Sequence, residues 1–424
     1  MKCKTNRQEL LSAAKKAATV VPSISPLEVL KCILLETDNE KGTLTLMATN
    51  LEVSLEQSIP TSVCEGENVS LAIEAKLLVA MLTQLGGDDV ELTQDNPAQI
   101  TLRGGDALYC VPVLAGKEYP HVQFPAPDNT VKVSEIPKMV QRTTFATVDS
   151  ETTPLFKCVN VRFTSEGLRA VSSDGSCAIS ARGDQQSTGE ASLLVPAPSL
   201  EKLARMCSDK DAFDVGIGDR SIVFRKENFA YSARLMAGSY INTDQIFNSL
   251  KNSFTVLSDA MELRSALESV SALTRDNRVK LTFSGNSLLL SCCSDFGNSK
   301  TSVDVIPLSG NPCGEYFFMV DRLSQSLRAM GGTITVGIAQ GGALTLSSED
   351  AQYMQVAMRA TAAKKSRKAK SEKKAAYRRD AIGDTQDLSL LRRSDPSCSR
   401  KYDLWRSFRA IGHGGRDALS MPEL

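Results

Sequence analysis

Apolar side chains first recur at helical spacing near the start of the chain. Leu10, Leu11, Ala14, Ala17 and Val21 share one side of residues 7–21, and Ser12, Lys15, Lys16 and Thr19 face elsewhere. That period predicts an amphipathic helix packed on a core, closed by Pro22 and Pro26. Shorter apolar runs then predict strands over residues 29–36, 42–48 and 51–57, punctuated by Asn39 and Gly42. A second helix is expected over 74–85, stopping at Gly86-Gly87. Strands over 90–93, 98–103 and 107–114 complete the block, and Pro120, Pro125 and Pro127 mark a linker.

The same order then restarts. A helix is expected over 134–146, with Pro137 tolerable only in its first turn, then strands over 159–163, 168–173 and 178–182. A helix over 199–208 and strands over 213–217, 221–226 and 229–236 follow. A third block has helices over 261–273 and 320–330, with strands between them and at 334–338, 343–347 and 353–359. The clearest marker is Leu168-Arg-Ala-Val-Ser-Ser-Asp-Gly-Ser-Cys-Ala-Ile-Ser-Ala-Arg182, read as strand, turn, strand. Asp bonds its own backbone in such a turn, and Gly accepts positive φ. Thr49/Asn50, Ser173/Asp174 and Ser294/Asp295 match at separations of 124 and 121 residues. Ile73, Val195 and Met319, which start the second helices, lie 122 and 124 apart, and Ala115-Gly116 matches Ala237-Gly238 at 122. A nearly constant period at independent anchors identifies three copies of one α+β domain. The boundaries expected are residues 1–127, 128–251 and 252–361, with a separate tail over 362–424.

Composition narrows the function. With 42% hydrophobic and 23% charged residues the chain is an ordinary globular one. No apolar run approaches the roughly 18 residues of a membrane span, and the N-terminus has no signal-peptide core. The eleven cysteines show no CxxC pair, which suits reduced thiols in a cytoplasm. Two histidines, His121 and His413, sit in no metal-ligand or nucleophile–base spacing. No phosphate loop or dinucleotide fingerprint occurs. Nothing here assembles an enzyme active site, and no cofactor or metal is expected. Charge is segregated: residues 361–424 hold 16 Lys+Arg against 8 Asp+Glu, leaving 33 against 41 in residues 1–360.

Three such copies in about 360 residues resemble the bacterial sliding clamp family, the β subunit of the replicative DNA polymerase. Phe145-Ala-Thr-Val-Asp-Ser-Glu-Thr-Thr-Pro154 resembles the family's F-A-x-x-x-D-E-T-R-P, and Val171-Ser-Ser-Asp-Gly175 resembles V-A-T-D-G. Ala237-Gly-Ser-Tyr-Ile241 resembles E-G-x-F/Y-P, and Val356-Ala-Met-Arg359 resembles M-P-M-R. The resemblance implies three tandem clamp domains per chain in a head-to-tail homodimer, with sheets outside and helices lining a ring around duplex DNA. Such a ring is held by topology, touches phosphates without reading bases, and slides. Its partners would be duplex DNA, a replicative polymerase and a clamp loader, with no membrane. The alternative is a clamp-derived scaffold or inhibitor that binds polymerase or loader peptides without encircling DNA.

The resemblance also assigns residues. Lys15, Lys138, Arg142, Lys202, Arg205, Arg264 and Arg328 are expected on the lining helices, where ordinary solvated helix charges are the alternative. A partner-peptide pocket between the second and third domains maps to Phe156, Ser173, Gly175, Ser176, Cys177 and Ala178, with Ile241, Gln245 and Ile246. Met354, Val356, Ala357, Met358 and Arg359 join it from the C-terminal strand, and plain interdomain packing would use the same apolar residues. The dimer seam is expected to join an edge strand near Leu108 and Cys110 to the third domain near Ala272 and Leu273. Departures from the family pattern are local. Ser176-Cys177-Ala178 replaces His-Arg-Leu, Ile241 and Ala357 replace prolines, Thr153 replaces an Arg, and Pro22-Ser-Ile-Ser-Pro26 lacks a basic residue. A shallower or altered pocket follows.

The tail carries Lys364-Lys-Ser-Arg-Lys-Ala-Lys-Ser-Glu-Lys-Lys374, read as a DNA tether or a solubilising, disordered extension. Gln386-Asp-Leu-Ser-Leu-Leu391 resembles the glutamine-plus-leucines peptide of clamp partners. A tail that competes for the pocket predicts tighter binding of a polymerase peptide after deletion of residues 380–424. Unchanged affinity in a fluorescence titration rules the competition out.

Overall fold

The computed structural model describes residues 1–359 apart from 121–123, 125–129, 166, 184–189, 275 and 295–296. His121, Pro125, Pro127, Asp295 and every tail motif therefore lie outside the described residues.

Seven α-helices stand among the described residues: α1 (Arg7–Val20), α2 (Ala75–Gln84), α3 (Ile136–Thr143), α4 (Ala197–Ala204), α5 (Thr243–Ser249), α6 (Ala260–Ser271) and α7 (Val320–Met330). Asn6 caps α1 by accepting from the Gln8 and Glu9 amides, and Asp259 caps α6 through Met261 and Glu262. Each cap satisfies amides that the first turn leaves orphaned. Leu10, Leu11, Ala13, Ala14, Ala17 and Val20 form the buried stripe of α1. Burial of each leucine contributes about 1.5–3 kcal/mol, so packing, more than propensity, holds the helix. The helices pair as α1 with α2, α3 with α4 and α6 with α7, and each pair packs on sheet.

Four antiparallel sheets carry the repeats. A five-stranded sheet runs Val63–Glu65, Lys2–Asn6, Asp89–Asn96, Gln99–Gly104, Ala107–Pro112. The first nine-stranded sheet joins Val53–Pro60 of the first repeat to Phe229–Arg234 of the second, with Val53 opposite Ala233. The second nine-stranded sheet joins Cys177–Arg182 of the second repeat to Ala351–Gln355 of the third, with Cys177 opposite Gln355. A four-stranded sheet closes the order and ends on Gly297–Asp304. One buried apolar cluster runs from Cys3 to Ala233 and another from Ala146 to Tyr353, so neither respects repeat boundaries.

Several expectations shift. Glu28–Lys31 forms a 3-10 turn and the strand begins at Cys32. The helix expected over 134–146 begins only at Ile136, after Glu135 at φ 53°, and gives way to a 3-10 turn over Thr144–Ala146. Strands Lys2–Asn6, Ser70–Glu74 and Asn252–Asp259 run into α1, α2 and α6 without a turn. They lacked the punctuation by which a sequence announces a strand. The last strand stops at Gln355, so residues 356–359 leave the sheet.

The first two repeats share one hydrogen-bond set. Tyr119 Oη accepts from the Thr49 amide at 3.0 Å and donates to the Cys32 carbonyl at 3.4 Å. Tyr240 Oη accepts from the Ser173 amide at 2.9 Å and donates to the Cys158 carbonyl at 3.4 Å. Burial pushes both phenols up to about 12, so both stay protonated donors at neutral pH. Tyr119→Phe and Tyr240→Phe should each lose about 1–2 kcal/mol of stability, because each leaves a covered amide unpaired. Urea unfolding of the two variants measures this, and equal midpoint shifts are expected.

Candidate docking surface, basic helix faces and free edges

The candidate docking surface is built around the turn at residues 173–177. Asp174 Oδ1 accepts from the Ser176 amide (2.8 Å), the Cys177 amide (2.9 Å) and Ser176 Oγ (2.8 Å). Ser173 Oγ donates to the Cys177 carbonyl at 2.7 Å and accepts from the Gly175 amide at 3.1 Å. Gly175 sits at φ 86°, where a side chain is strained. A Cβ there would lie 3.4 Å from the Phe156 ring, which arrives on a 3-10 turn over Pro154–Lys157. Leu155 on the same turn lies 2.9 Å from where a Cβ on Gly238 would stand. Leu155 was not singled out in the sequence; its place beside the glycine of Ala237-Gly238 shows only in three dimensions.

The third repeat supplies the facing wall. Met354 pairs with Ala178 across the sheet, and the Val356 amide donates to the Ser176 carbonyl at 2.9 Å. The Met358 amide donates to the Phe317 carbonyl at 2.7 Å, and Arg278 donates to the Arg359 carbonyl at 2.6 Å. Ala357 lies against Gly342. Ile241, Gln245 and Ile246 lie on α5 and the segment before it, which is pinned where Asp244 meets Arg162 and Arg169. Phe156, the turn over 173–178, Met354 and Val356 therefore come together, with one correction. Ser173, Cys177 and Ala178 are buried beneath the surface, at 3%, 1% and 2% exposure, because strand pairing covers them. Gly175, Ser176, Phe156, Val356 and Met358 remain partly or fully exposed, and burial pushes the Cys177 thiol up to about 12.

The same turn meets a charge from the third repeat. Arg322 on α7 places Nη2 at 2.8 Å from Asp174 Oδ2 and donates to the carbonyls of Phe145 and Thr147. Burial alone would raise the Asp174 carboxyl. Hydrogen bonds from Cys177 and Ser176, together with Arg322, outweigh it and hold that carboxyl below its ordinary value.

The basic residues part company. Lys15 on α1, Arg205 at the end of α4 and Arg328 on α7 are exposed, and Arg328 stands against the Gln141 amide of α3. Lys202 is half-buried, and desolvation lowers its pKa. Lys138 pairs with Glu135 at 2.9 Å and Arg264 with Glu268 at 2.7 Å. Arg142 is the clearest departure. It donates to the Ala329 carbonyl at 3.1 Å, approaches Asp350 at 3.6 Å and keeps 14% side-chain exposure. It ties the second repeat to the third, so a primary role in contacting phosphate does not fit it. Lys16, not singled out, lies 5.5 Å over the Phe229 ring, in a 530 Å³ cleft between the first two repeats.

Two of the edge strands lie at the ends expected to form the seam. Ala107–Pro112 exposes Leu108 (52%) and Cys110. Gly297–Asp304 lies beside the end of α6, where Leu273 is 41% exposed and Ser299 Oγ donates to the Val270 carbonyl at 2.6 Å. Ala272 is exposed at the same corner. No cluster of His, Cys, Asp and Glu fit to hold a metal exists among the described residues, and no described helix is long and apolar enough to cross a membrane.

A repeated sheet-and-helix unit, joined to the next copy by continuous strand pairing, defines a clamp-type fold. Family models for the DNA polymerase III beta subunit match residues 1–123 (N-terminal domain) and 130–242 (central domain), and the chain belongs to that family. The beta sliding clamp of Lactococcus lactis is 24% identical over 337 residues, 75% of this chain and 86% of that one. That of Chlamydia pneumoniae is 24% identical over 341 residues, 77% and 90%. The Bacillus subtilis sliding clamp structure superposes with a TM-score of 0.79 at 18% identity, covering 85% of this chain and 100% of that one. A Pseudomonas aeruginosa clamp bound to griselimycin gives 0.77 at 19%, with the same coverage. The structural likeness extends over the third repeat, where the two family models do not reach. The family is a non-enzymatic processivity factor.

Proposed function

We propose that the chain is a sliding clamp: a homodimeric ring that encircles duplex DNA in the cytoplasm and tethers a replicative polymerase delivered by a clamp loader. Residues 1–127, 128–251 and 252–361 are its three domains. One observation carries this reading. Each internal sheet has nine strands, whereas the terminal sheets have five and four and end on the open strands Ala107–Pro112 and Gly297–Asp304. Joined head to tail in two copies, they would complete two further nine-stranded sheets, leaving no free edge at the seam.

The internal repeat supports a register for that seam. Val53, Cys177 and Asn298 each lie four residues beyond a matched turn residue (Thr49, Ser173, Ser294), and Ala233 corresponds to Val111. Because Val53 pairs with Ala233, Asn298 would pair with Val111 of the partner subunit, Ser299 with Cys110 and Thr301 with Leu108. At the internal seam the Arg234 amide donates to the Glu52 carbonyl and the Ser58 amide to the Asn228 carbonyl. The same pattern would make Ser299 and Cys110 a hydrogen-bonded pair with Cα atoms about 5.5 Å apart, within disulfide reach. Ser299→Cys should therefore form a covalent dimer with native Cys110 under mild oxidation, read on a non-reducing gel, and the Ser302→Cys variant should not.

Lys15, Arg205 and Arg328 are the first candidates for phosphate contact, followed by the half-buried Lys202 and by Lys138 and Arg264 once released from Glu135 and Glu268. The deciding experiment is retention on DNA after loading by a cognate clamp loader. Retention on circles with loss from linear ends supports the ring. Equal retention on both, falling with salt, indicates ordinary electrostatic binding and favours the scaffold alternative.

A further inference from the structure

We infer that Arg322 is a positioning residue for partner docking: from the third repeat it holds the docking turn of the second in its binding conformation through Asp174. The inference rests on the docking surface proposed above. The guanidinium joins three segments. It meets Asp174 Oδ2 at 2.8 Å, and it also donates to the Phe145 and Thr147 carbonyls. Asp174 keeps only 7% side-chain exposure and Arg322 21%, so the pair is poorly screened by water. Arg322 itself lies behind the surface, and what it controls is where Gly175 and Ser176 stand relative to Val356 and Met358.

The other internal seam provides a control within the same chain. There the turn residue is the neutral Asn50, whose Oδ1 accepts from the Glu52 amide at 3.0 Å and the Val53 amide at 2.8 Å. The strand pairing and the crossing bond are alike, Arg234 amide to Glu52 carbonyl at one seam and Val356 amide to Ser176 carbonyl at the other. A carboxylate is thus unnecessary for the turn. Its added charge serves the contact with α7, and that contact is made at the seam that carries the docking surface. Breaking one side of a covered ion pair strands the other charge. A loop held by such a pair is therefore ordered before a partner arrives, and a pre-ordered loop binds more tightly.

The test compares the full chain with Asp174→Asn, Arg322→Gln and the double variant, titrating a labelled Gln-Asp-Leu-Ser-Leu-Leu peptide. Asp174→Asn keeps the turn, as Asn50 does, and the double variant leaves no stranded charge. Each single variant and the double variant should bind about tenfold more weakly, without adding. Hydrogen exchange should still show protected Ser176 and Cys177 amides in Asp174→Asn, and the double variant should melt near the parent. Phe156→Asp serves as the pocket control. If the parent binds, Phe156→Asp abolishes binding and the three latch variants bind like the parent, the role of Arg322 is overturned and the docking surface stands. If affinity falls only where the turn amides lose protection, Asp174 acts within its own turn and the inter-repeat role is overturned. If neither the parent nor the chain lacking residues 380–424 binds the peptide, the docking surface and this inference fail together.

Discussion

Strand pairing across the repeat boundaries is the constraint on which the rest depends. Val53–Gln57 adds to Phe229–Ala233, and Cys177–Ala181 adds to Ala351–Gln355. Backbone bonds of this kind have one geometry at a given register, so each repeat is set relative to the next by the same rule that orders strands within it. The apolar clusters follow, running through the joints without a break. A joint built from a continuous ladder leaves little for side-chain contacts to decide, which explains how this chain keeps the fold at 18–24% identity to its relatives.

Because the joint is made by main chain, side chains around it are free to specialise. The two internal seams share their crossing hydrogen bonds and a tyrosine that braces the turn. They differ in what decorates the turn. Asn50 is followed by Leu51, held at φ 72° and 58% exposed, whereas Asp174 is followed by Gly175 at φ 86°, with the Phe156 ring beside it. The glycine opens space where the leucine projects. Ser176, Cys177 and Ala178, smaller than the family's His-Arg-Leu, leave a surface shaped mainly by Phe156, Leu155 and the residues after Gln355.

The charge distribution has a comparable logic. Residues 1–360 carry more acid than base, and Lys138, Arg142, Arg264 and Arg322 on the helices already have acidic partners. A protein retained on DNA by closure needs no strong attraction to it, and weak contacts permit sliding.

The amino-acid sequence by itself determined the three-fold repeat, the α+β class and the family. Hydrophobic period and turn chemistry are local, and three nearly equal spacings made the local signals reinforce one another. It also located the turn at residues 173–175, since Ser173-Asp174-Gly175 writes its own hydrogen bonds. Tertiary structure alone decided which of those residues face solvent, because Cys177 and Ala178 are covered by a strand about 180 positions away in the chain. It decided that Arg142 ties two repeats together, that Leu155 lies beside Gly238, and that Arg322 meets Asp174. Partners so remote along the chain leave no period or motif. Only the folded ladder brings them within reach of one another.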